Sequence, residues 1–218
     1  MHRVYHEMTR KAYCSMPRSA HKQNRSQPQG SGELRIIGGQ LRGRKLSVAD
    51  VPGLRPTTDR VRETLFNWLQ FELQGQRCLD LFAGSGALGF EALSRGADLV
   101  LMIEKDTKAA RLLSQHAQTL NAASHGSALV QPGDALQFLR QQPAAPFDVI
   151  FIDPPFRMGL AEHCCQLLEQ FRWLHAGSWV YVETEQEWQG QVPPHWRLHR
   201  DKNAGQVSYQ LYQIEESA

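Results

Sequence analysis

The chain has 218 residues, of which 41% are hydrophobic and 21% are charged, and its formal net charge is +2. This composition is typical of a globular protein of one or two domains, which excludes fibrous and wholly disordered chains. No apolar run approaches the roughly 20 residues that a membrane-spanning helix needs, so we do not expect an integral membrane protein.

The charges are unevenly distributed along the chain. Residues 1–62 hold 13 Lys and Arg against 4 Asp and Glu, whereas residues 63–218 hold 11 against 18. A basic amino-terminal quarter on an acidic body indicates a contact with a polyanion. Residues 1–33 are polar and basic without an apolar period or a secretory signal, which predicts a disordered tail. The four cysteines are scattered, which favours a reducing cytoplasm.

The ordered part is predicted to begin with a small β-hairpin extension over residues 34–56. Residues 34–37 have the pattern of a short strand, Gly38 and Gly39 that of a turn, and residues 40–46 that of a second strand that carries cations. Thr57 and Thr58 are candidate helix caps, and apolar residues then recur at helical spacing to about residue 72.

From residue 77 the chain alternates between apolar strands and helices, so we assign residues 57–218 to one α/β domain. Strands are predicted over 78–82, 99–103, 128–130, 147–152 and 179–182, helices over 86–95, 106–121, 134–141 and 159–171, and a closing hairpin over 195–213. This order predicts a mostly parallel sheet of seven strands, covered by helices on both faces, with an antiparallel carboxy-terminal hairpin.

A glycine-rich turn follows the first strand of this alternation. Gly84, Gly86 and Gly89 satisfy the GxGxxG pattern, which lets the backbone approach a ligand closely. Glu104 ends the next strand, where a carboxylate can bind ribose hydroxyls. These features alone fit NAD, FAD or S-adenosylmethionine. Asp80 beside the turn would repel a pyrophosphate but would attract the sulfonium and ammonium of S-adenosylmethionine, so it favours the last of these.

A second motif, Asp153-Pro154-Pro155-Phe156, ends the fourth strand. Ligands of open α/β sheets bind beyond the carboxyl ends of strands at the switch in strand order, so Gly84 and Asp153 are expected to share one cleft. The prolines lack amide donors and leave carbonyl acceptors, which suit an exocyclic amine together with the Asp153 carboxylate. Phe156 offers a face on which a base can stack.

These motifs resemble a known family. DLFAGSG followed by DPPF is similar to class I S-adenosylmethionine-dependent methyltransferases that act on exocyclic amines of nucleobases. RIIGGQLRGRKL (35–46), GLRPTTDRVRETLFNWL (53–69) and LDLFAGSGALGFEALSRGA (79–97) extend the resemblance to the RsmD family over residues 32–213. The resemblance implies a Rossmann-like class I fold and methylation of a guanine N2 in 16S ribosomal RNA, either in the small ribosomal subunit or in its assembly intermediate.

The resemblance also implies roles for individual residues. Glu104 would hold the cofactor ribose, and Asp134 with Ala135 would approach its adenine, although Asp134 could equally cap the following helix. Asp153, Pro154 and Phe156 would hold the target guanine. The methionine-side loop for S-adenosylmethionine would comprise Asp80, Phe82, Gly84, Ser85 and Gly86. The cations expected to contact RNA are Arg35, Arg42, Arg44, Lys45, Arg55, Arg60 and Arg62.

Other classes of protein share parts of this pattern. A DNA adenine-N6 methyltransferase uses a similar acid–Pro–Pro–aromatic motif, and a protein-glutamine methyltransferase usually has Asn in place of Asp153. An NAD-dependent dehydrogenase explains neither Asp80 nor DPPF, and a non-catalytic RNA-binding assembly factor need not keep all these residues. We expect a monomer without a metal site or membrane contact, and we expect Glu183, Glu185 and Glu187 to form a solvated edge.

Overall fold

The computed structural model of the chain describes residues 32–51 and 58–216. Arg55 and the predicted tail before Gly32 lie outside these ranges. In chain order the elements are β1 (Gly32–Arg35), β2 (Lys45–Val48), α1 (Asp59–Trp68), β3 (Arg77–Asp80), α2 (Ala87–Ser94), β4 (Leu99–Glu104), α3 (Thr107–Asn121), β5 (Ser127–Pro132), α4 (Ala135–Leu139), β6 (Val149–Ile152), α5 (Leu160–Gln170), β7 (Trp179–Glu185), β8 (Trp196–Ala204) and β9 (Val207–Ile214).

The main sheet has seven strands in the order β5-β4-β3-β6-β7-β9-β8. Strands β3 to β7 are parallel, and β9 runs antiparallel to both of its neighbours. The predicted alternation of strands and helices and the closing antiparallel hairpin are therefore confirmed. After β5 the chain returns through α4 to β6 on the other side of β3, which places the switch in strand order between β3 and β6.

Two apolar clusters cover the two faces of this sheet. On one face, side chains of β3, β4, β6, β7 and β9 pack against α1, α2, α3 and the β1–β2 hairpin. On the other face, alternate side chains of β3, β6 and β7 pack against α4 and α5. Because both faces are covered, the central strands are apolar in their middle residues, as their sequences predicted, and carry charged residues such as Arg77, Asp80 and Glu104 only at their ends.

The amino-terminal hairpin is shorter than predicted. Residues 40–43 form a turn instead of a strand, and β2 begins only at Lys45. Gly39 and Gly43 have φ angles of 72° and 84°, which a regular strand does not allow. Leu41 is buried, and its amide donates to the Ser94 hydroxyl at 2.9 Å, so this turn docks against the end of α2.

Helix α1 begins where the cap was predicted. The Thr58 side chain accepts a hydrogen bond from the Val61 amide, and Asp59 lies in the first turn. The helix ends at Trp68, four residues before the predicted end. Among the described residues, no helix is both long and apolar enough to cross a membrane.

Candidate active site

The glycine-rich turn lies between β3 and α2 at the switch point. Gly84 and Gly86 have φ angles of 53° and 80°. A β-carbon on Gly86 would lie 2.4 Å from the Phe90 ring and 2.8 Å from Leu113, so both space and backbone conformation require glycine there. Ser85 is buried within the turn, and Phe82 is half-buried beside it.

Glu104 lies directly against this turn, although 20 positions separate it from Gly84. One carboxylate oxygen accepts the Gly84 amide at 2.7 Å, and the other accepts the Asp106 amide at 2.7 Å. Each carboxylate oxygen can accept a further hydrogen bond. Glu104 can therefore brace the turn and still receive hydroxyl donors from a ligand.

Asp80 is the buried acid of the site. Its Oδ2 accepts the Gly89 amide at 3.0 Å, whereas Oδ1 is buried and has no well-formed hydrogen bond to any described residue. Burial raises the pKa of Asp80 to about 7, and the nearby Asp153 carboxylate adds to this rise, while amides of Gly89 and Phe82 oppose it. The site therefore favours a positively charged ligand next to Asp80.

The Asp153 motif follows β6, the strand that lies next to β3. Asp80 and Phe151 are paired across these strands, and the charge of Asp153 reaches Asp80. Pro154 is buried and Phe156 is half-buried. The structure thus brings the glycine turn, Glu104 and the Asp153 motif to one edge of the sheet.

Asp134 caps α4. Its Oδ1 accepts the amides of Leu136 and Gln137, and its Oδ2 pairs with Lys105 at 3.2 Å. Partial burial raises the pKa of Asp134, but these hydrogen bonds and the Lys105 charge outweigh burial and bring the pKa below its ordinary value. Ala135 is buried against the second apolar cluster. Helix capping is therefore observed, and contact with a cofactor stays a prediction.

Most of the predicted RNA-binding cations within the described ranges are exposed. They are Arg35, Arg42, Arg44, Lys45 and Arg60. Lys45 pairs with Glu33 at 2.8 Å, but both side chains are more than half exposed, so the pair contributes little and Lys45 can exchange it for a phosphate.

Arg62 was predicted to contact RNA, and this prediction is wrong. Its side chain is only 1% exposed, and Nη2 donates to the Arg35 carbonyl at 3.0 Å and pairs with Asp59. Nη1 lies 3.9 Å from the fully buried Glu91, which also pairs with Arg95. The position of Arg62 on α1 points its side chain toward the hairpin instead of toward solvent. Its contacts with Arg35 and Glu91 therefore join α1 to β1 and α2.

One of the three acids at the end of β7 also differs from the prediction. Glu183 is only 6% exposed and does not belong to a solvated edge, whereas Glu185 is half-buried and Glu187 is exposed as predicted. Strand β7 continues to Glu185 and is covered on one side by β6 and on the other by β9. The two-residue spacing of Tyr181 and Glu183 could have indicated that Glu183 is buried, since it places both side chains on one face of the strand.

No group of His, Cys, Asp and Glu in residues 32–51 and 58–216 has an arrangement that could hold a metal ion. The groups that the structure brings together at this edge of the sheet are carboxylates, backbone carbonyls and the Phe156 ring. The charges of Asp153 and Glu104 both raise the pKa of Asp80.

Comparisons with known proteins agree with this geometry. A family model described as "Conserved hypothetical protein 95" matches residues 34–213. The chain is 54% identical over 188 residues to "Ribosomal RNA small subunit methyltransferase D" of Escherichia coli K12, covering 85% of this chain and 92% of that protein. The solved structure of the Escherichia coli protein yhhF is 53% identical with a TM-score of 0.77, covering 85% of this chain and all of that one.

A more distant structure shares only the fold. An RNA methyltransferase of Salinibacter ruber, solved with S-adenosyl-L-homocysteine, is 15% identical with a TM-score of 0.54, and the match covers 75% of this chain and 96% of that one. Together with the strand order, these similarities identify the predicted Rossmann-like class I methyltransferase fold.

Proposed function

Because the chain belongs to the RsmD family, we propose that it transfers a methyl group from S-adenosylmethionine to the exocyclic N2 of one guanine in 16S ribosomal RNA. One observation carries this proposal. The Asp80, Glu104 and Asp153 carboxylates meet around a glycine turn at the switch point of the sheet. This is where an open α/β sheet binds its ligands, and the negative charge suits a cationic cofactor.

The site fits S-adenosylmethionine better than a dinucleotide. The buried Asp80 Oδ1 lacks a well-formed hydrogen bond, and a cationic ligand would compensate its charge, whereas a pyrophosphate would be repelled. Gly84 and Gly86 would let the backbone approach the methionine part, Glu104 would hold the ribose, and Asp134 with Ala135 would lie near the adenine. When bound, S-adenosylmethionine supplies an electrophilic methyl group.

The chain's own residues would orient the guanine. The exocyclic amine is conjugated and barely basic, so its lone pair has to be directed out of the ring plane before it can attack. Asp153 and the Pro154 carbonyl would accept the two N–H groups, and Phe156 would stack on the base. Most of the rate gain would come from this positioning. Asp153 would also stabilise the positive charge that develops on nitrogen and receive the proton.

The exposed cations of the hairpin would hold the RNA backbone. Arg35, Arg42, Arg44 and Lys45 lie on or next to the β1–β2 hairpin, and Arg60 lies on α1. Phosphate contacts of this kind supply affinity and register, while the pocket selects the base. The target nucleotide must leave its stack to reach Asp153, so we expect a loop or a flipped base.

We place the protein in the cytoplasm, where its substrate is made. Cys78, Cys164 and Cys165 are buried free thiols, as a reducing compartment allows. We propose that a monomer is sufficient, because one chain supplies the glycine turn, the Asp153 motif and the exposed cations.

The proposal is tested with labelled S-adenosylmethionine and small ribosomal subunits from a strain that lacks its own enzyme. Naked ribosomal RNA and unmethylated DNA are run alongside, and Asp153→Ala serves as the inactive control. We expect N2-methylguanosine at one position of 16S RNA and no label in DNA. Label in N6-methyladenine would assign the protein to the DNA enzymes. Cofactor binding without transfer to any nucleic acid would indicate a protein substrate or a non-catalytic RNA-binding role.

A further inference from the structure

The carboxyl end of β7 holds a buried acid that the proposed mechanism does not use. Glu183 is only 6% exposed, and its Oε2 accepts a hydrogen bond from the Tyr181 hydroxyl at 2.7 Å. Tyr181 is itself fully buried. Burying a carboxylate is costly, and an apolar residue at this position would avoid that cost. A buried acid at this edge of the sheet therefore calls for a functional explanation.

The register of the sheet places Glu183 beside Asp153. Ile152 of β6 is paired with Val182 of β7, so the next residues along the two parallel strands, Asp153 and Glu183, are neighbours at the ligand-binding edge. Neighbouring strands lie about 4.8 Å apart, a spacing that lets two side chains contact one planar base.

The charges of these acids also act on the same neighbouring groups. Burial raises the pKa of Tyr181 well above its usual value, and the charges of Glu183 and Asp153 raise it further. Asp153 also raises the pKa of Asp80. The Tyr181 hydroxyl therefore donates to Glu183 and also lies close enough to Asp153 for that charge to act on it.

The hydrogen-bonding edge of guanine matches this pair of acids. Its N2 amine and its N1–H are adjacent donors, whereas the corresponding ring nitrogen of adenine or cytosine is an acceptor. If Asp153 and Pro154 receive the N2 amine, the neighbouring donor on the same edge is N1–H. A carboxylate at that place accepts N1–H, and it repels a base that presents a lone pair there.

We propose that Glu183 selects guanine by accepting the N1–H of the target base, and that Tyr181 positions the Glu183 carboxylate through its hydroxyl. This inference rests on the proposed function, because it assumes that the amine held by Asp153 is the N2 of guanine. It assigns Glu183 to base recognition, Asp153 to the reacting amine, and the hairpin cations to the RNA backbone.

The test compares guanine with 2-aminopurine at the methylated position of an otherwise identical RNA. 2-Aminopurine keeps the N2 amine but presents an acceptor at N1. It also lacks O6, a loss that affects every variant of the protein alike. We expect the wild-type protein to prefer guanine by about 10- to 100-fold in kcat/KM, as the loss of a hydrogen bond to a charged group predicts.

Glu183→Gln should narrow this preference to within about threefold, because the new amide can donate to N1 where the carboxylate could only accept. Glu185→Gln is the matched control, since it removes the same charge two residues along β7 and should keep the wild-type preference. Tyr181→Phe leaves the Glu183 charge in place and should narrow the preference only in part. Tyr181→Phe also provides the test of the proposal if Glu183→Gln does not fold.

Three outcomes would overturn the inference. The first is equal use of guanine and 2-aminopurine by the wild-type protein. The second is an equal loss of activity on both bases in Glu183→Gln. The third, if Glu183→Gln cannot be measured, is an unchanged preference for guanine in Tyr181→Phe. An equal loss on both bases would mean that Glu183 serves only the fold. Failure of the wild-type protein to methylate guanine in any RNA would instead refute the proposed function, so the two failures are distinguishable.

Discussion

The pKa of Asp80 leads to a quantitative prediction for cofactor binding. The carboxyl is buried next to Asp153 and its pKa is raised to about 7, so it is largely protonated at pH 6 and largely ionised at pH 8. A sulfonium and an ammonium interact favourably only with the ionised form. With this pKa, the ionised fraction rises from about one-tenth to about nine-tenths, so affinity for S-adenosylmethionine should increase about 10-fold between these two pH values.

Isothermal titration calorimetry in buffers of different ionisation enthalpy measures both the affinity and the proton release. At pH 7 we expect about half a proton to be released for each cofactor bound, because about half of the Asp80 carboxyls are protonated beforehand. Asp80→Asn is the control and should bind more weakly with little dependence on pH. Equal wild-type affinity at pH 6 and pH 8, or an unchanged pH dependence in Asp80→Asn, would refute this assignment.

The same raised pKa affects the stability of the protein without cofactor. The free energy of unfolding should change with pH in the direction opposite to that caused by an ordinary ion-paired acid. Protonated Asp80 stabilises the fold fully below pH 3.8, the ordinary pKa, and this contribution is lost as the pH rises through about 7. Its full size is on the order of 4 kcal/mol, from about three pKa units. Urea unfolding at several pH values should show this loss in the wild-type protein but not in Asp80→Asn.

Three further predictions concern the reacting amine, the buried arginine and the RNA contacts. Asp153→Ala should nearly abolish methyl transfer and leave cofactor affinity within a few fold; normal turnover in this variant would exclude the proposed role. Arg62→Met should lower the free energy of unfolding by about 1–3 kcal/mol in urea titrations, because it removes the hydrogen bond to the Arg35 carbonyl while Glu91 keeps its pair with Arg95. A loss of RNA affinity at unchanged stability would contradict this structural role. The double variant Arg42→Ala and Arg44→Ala should weaken RNA binding and reduce the slope of log affinity against log salt by about 2, with kcat unchanged at saturating RNA. An unchanged slope would mean that neither arginine contacts a phosphate.

Elements with a local signal could be predicted from the sequence. The cap at Thr58, the alternation of apolar strands with helices, and the glycine turn after Asp80 all depend on neighbouring residues. The placement of Glu104 against Gly84 could also be foreseen, because the carboxyl ends of adjacent parallel strands meet at one edge.

Elements that depend on distant contacts were not predictable in this way. An arginine beside other cations on a helix resembles an RNA contact in sequence, but Arg62 is surrounded by β1, α1 and α2. Residues 40–46 resemble a strand, but the docking of Leu41 beside Ser94 and the positive φ angles of Gly39 and Gly43 favour a turn.

The difference between the elements that could be predicted and those that could not follows from the range of the interactions that form them. The sequence by itself determined the family, the order of the elements and the two motifs, because these depend on periodicity, turn residues and short spacings. Only the tertiary structure decided which charged groups are buried, since burial depends on how separate segments pack. It showed that Arg62 links the hairpin to the sheet domain, and it placed Glu183 beside Asp153 at the carboxyl ends of β6 and β7.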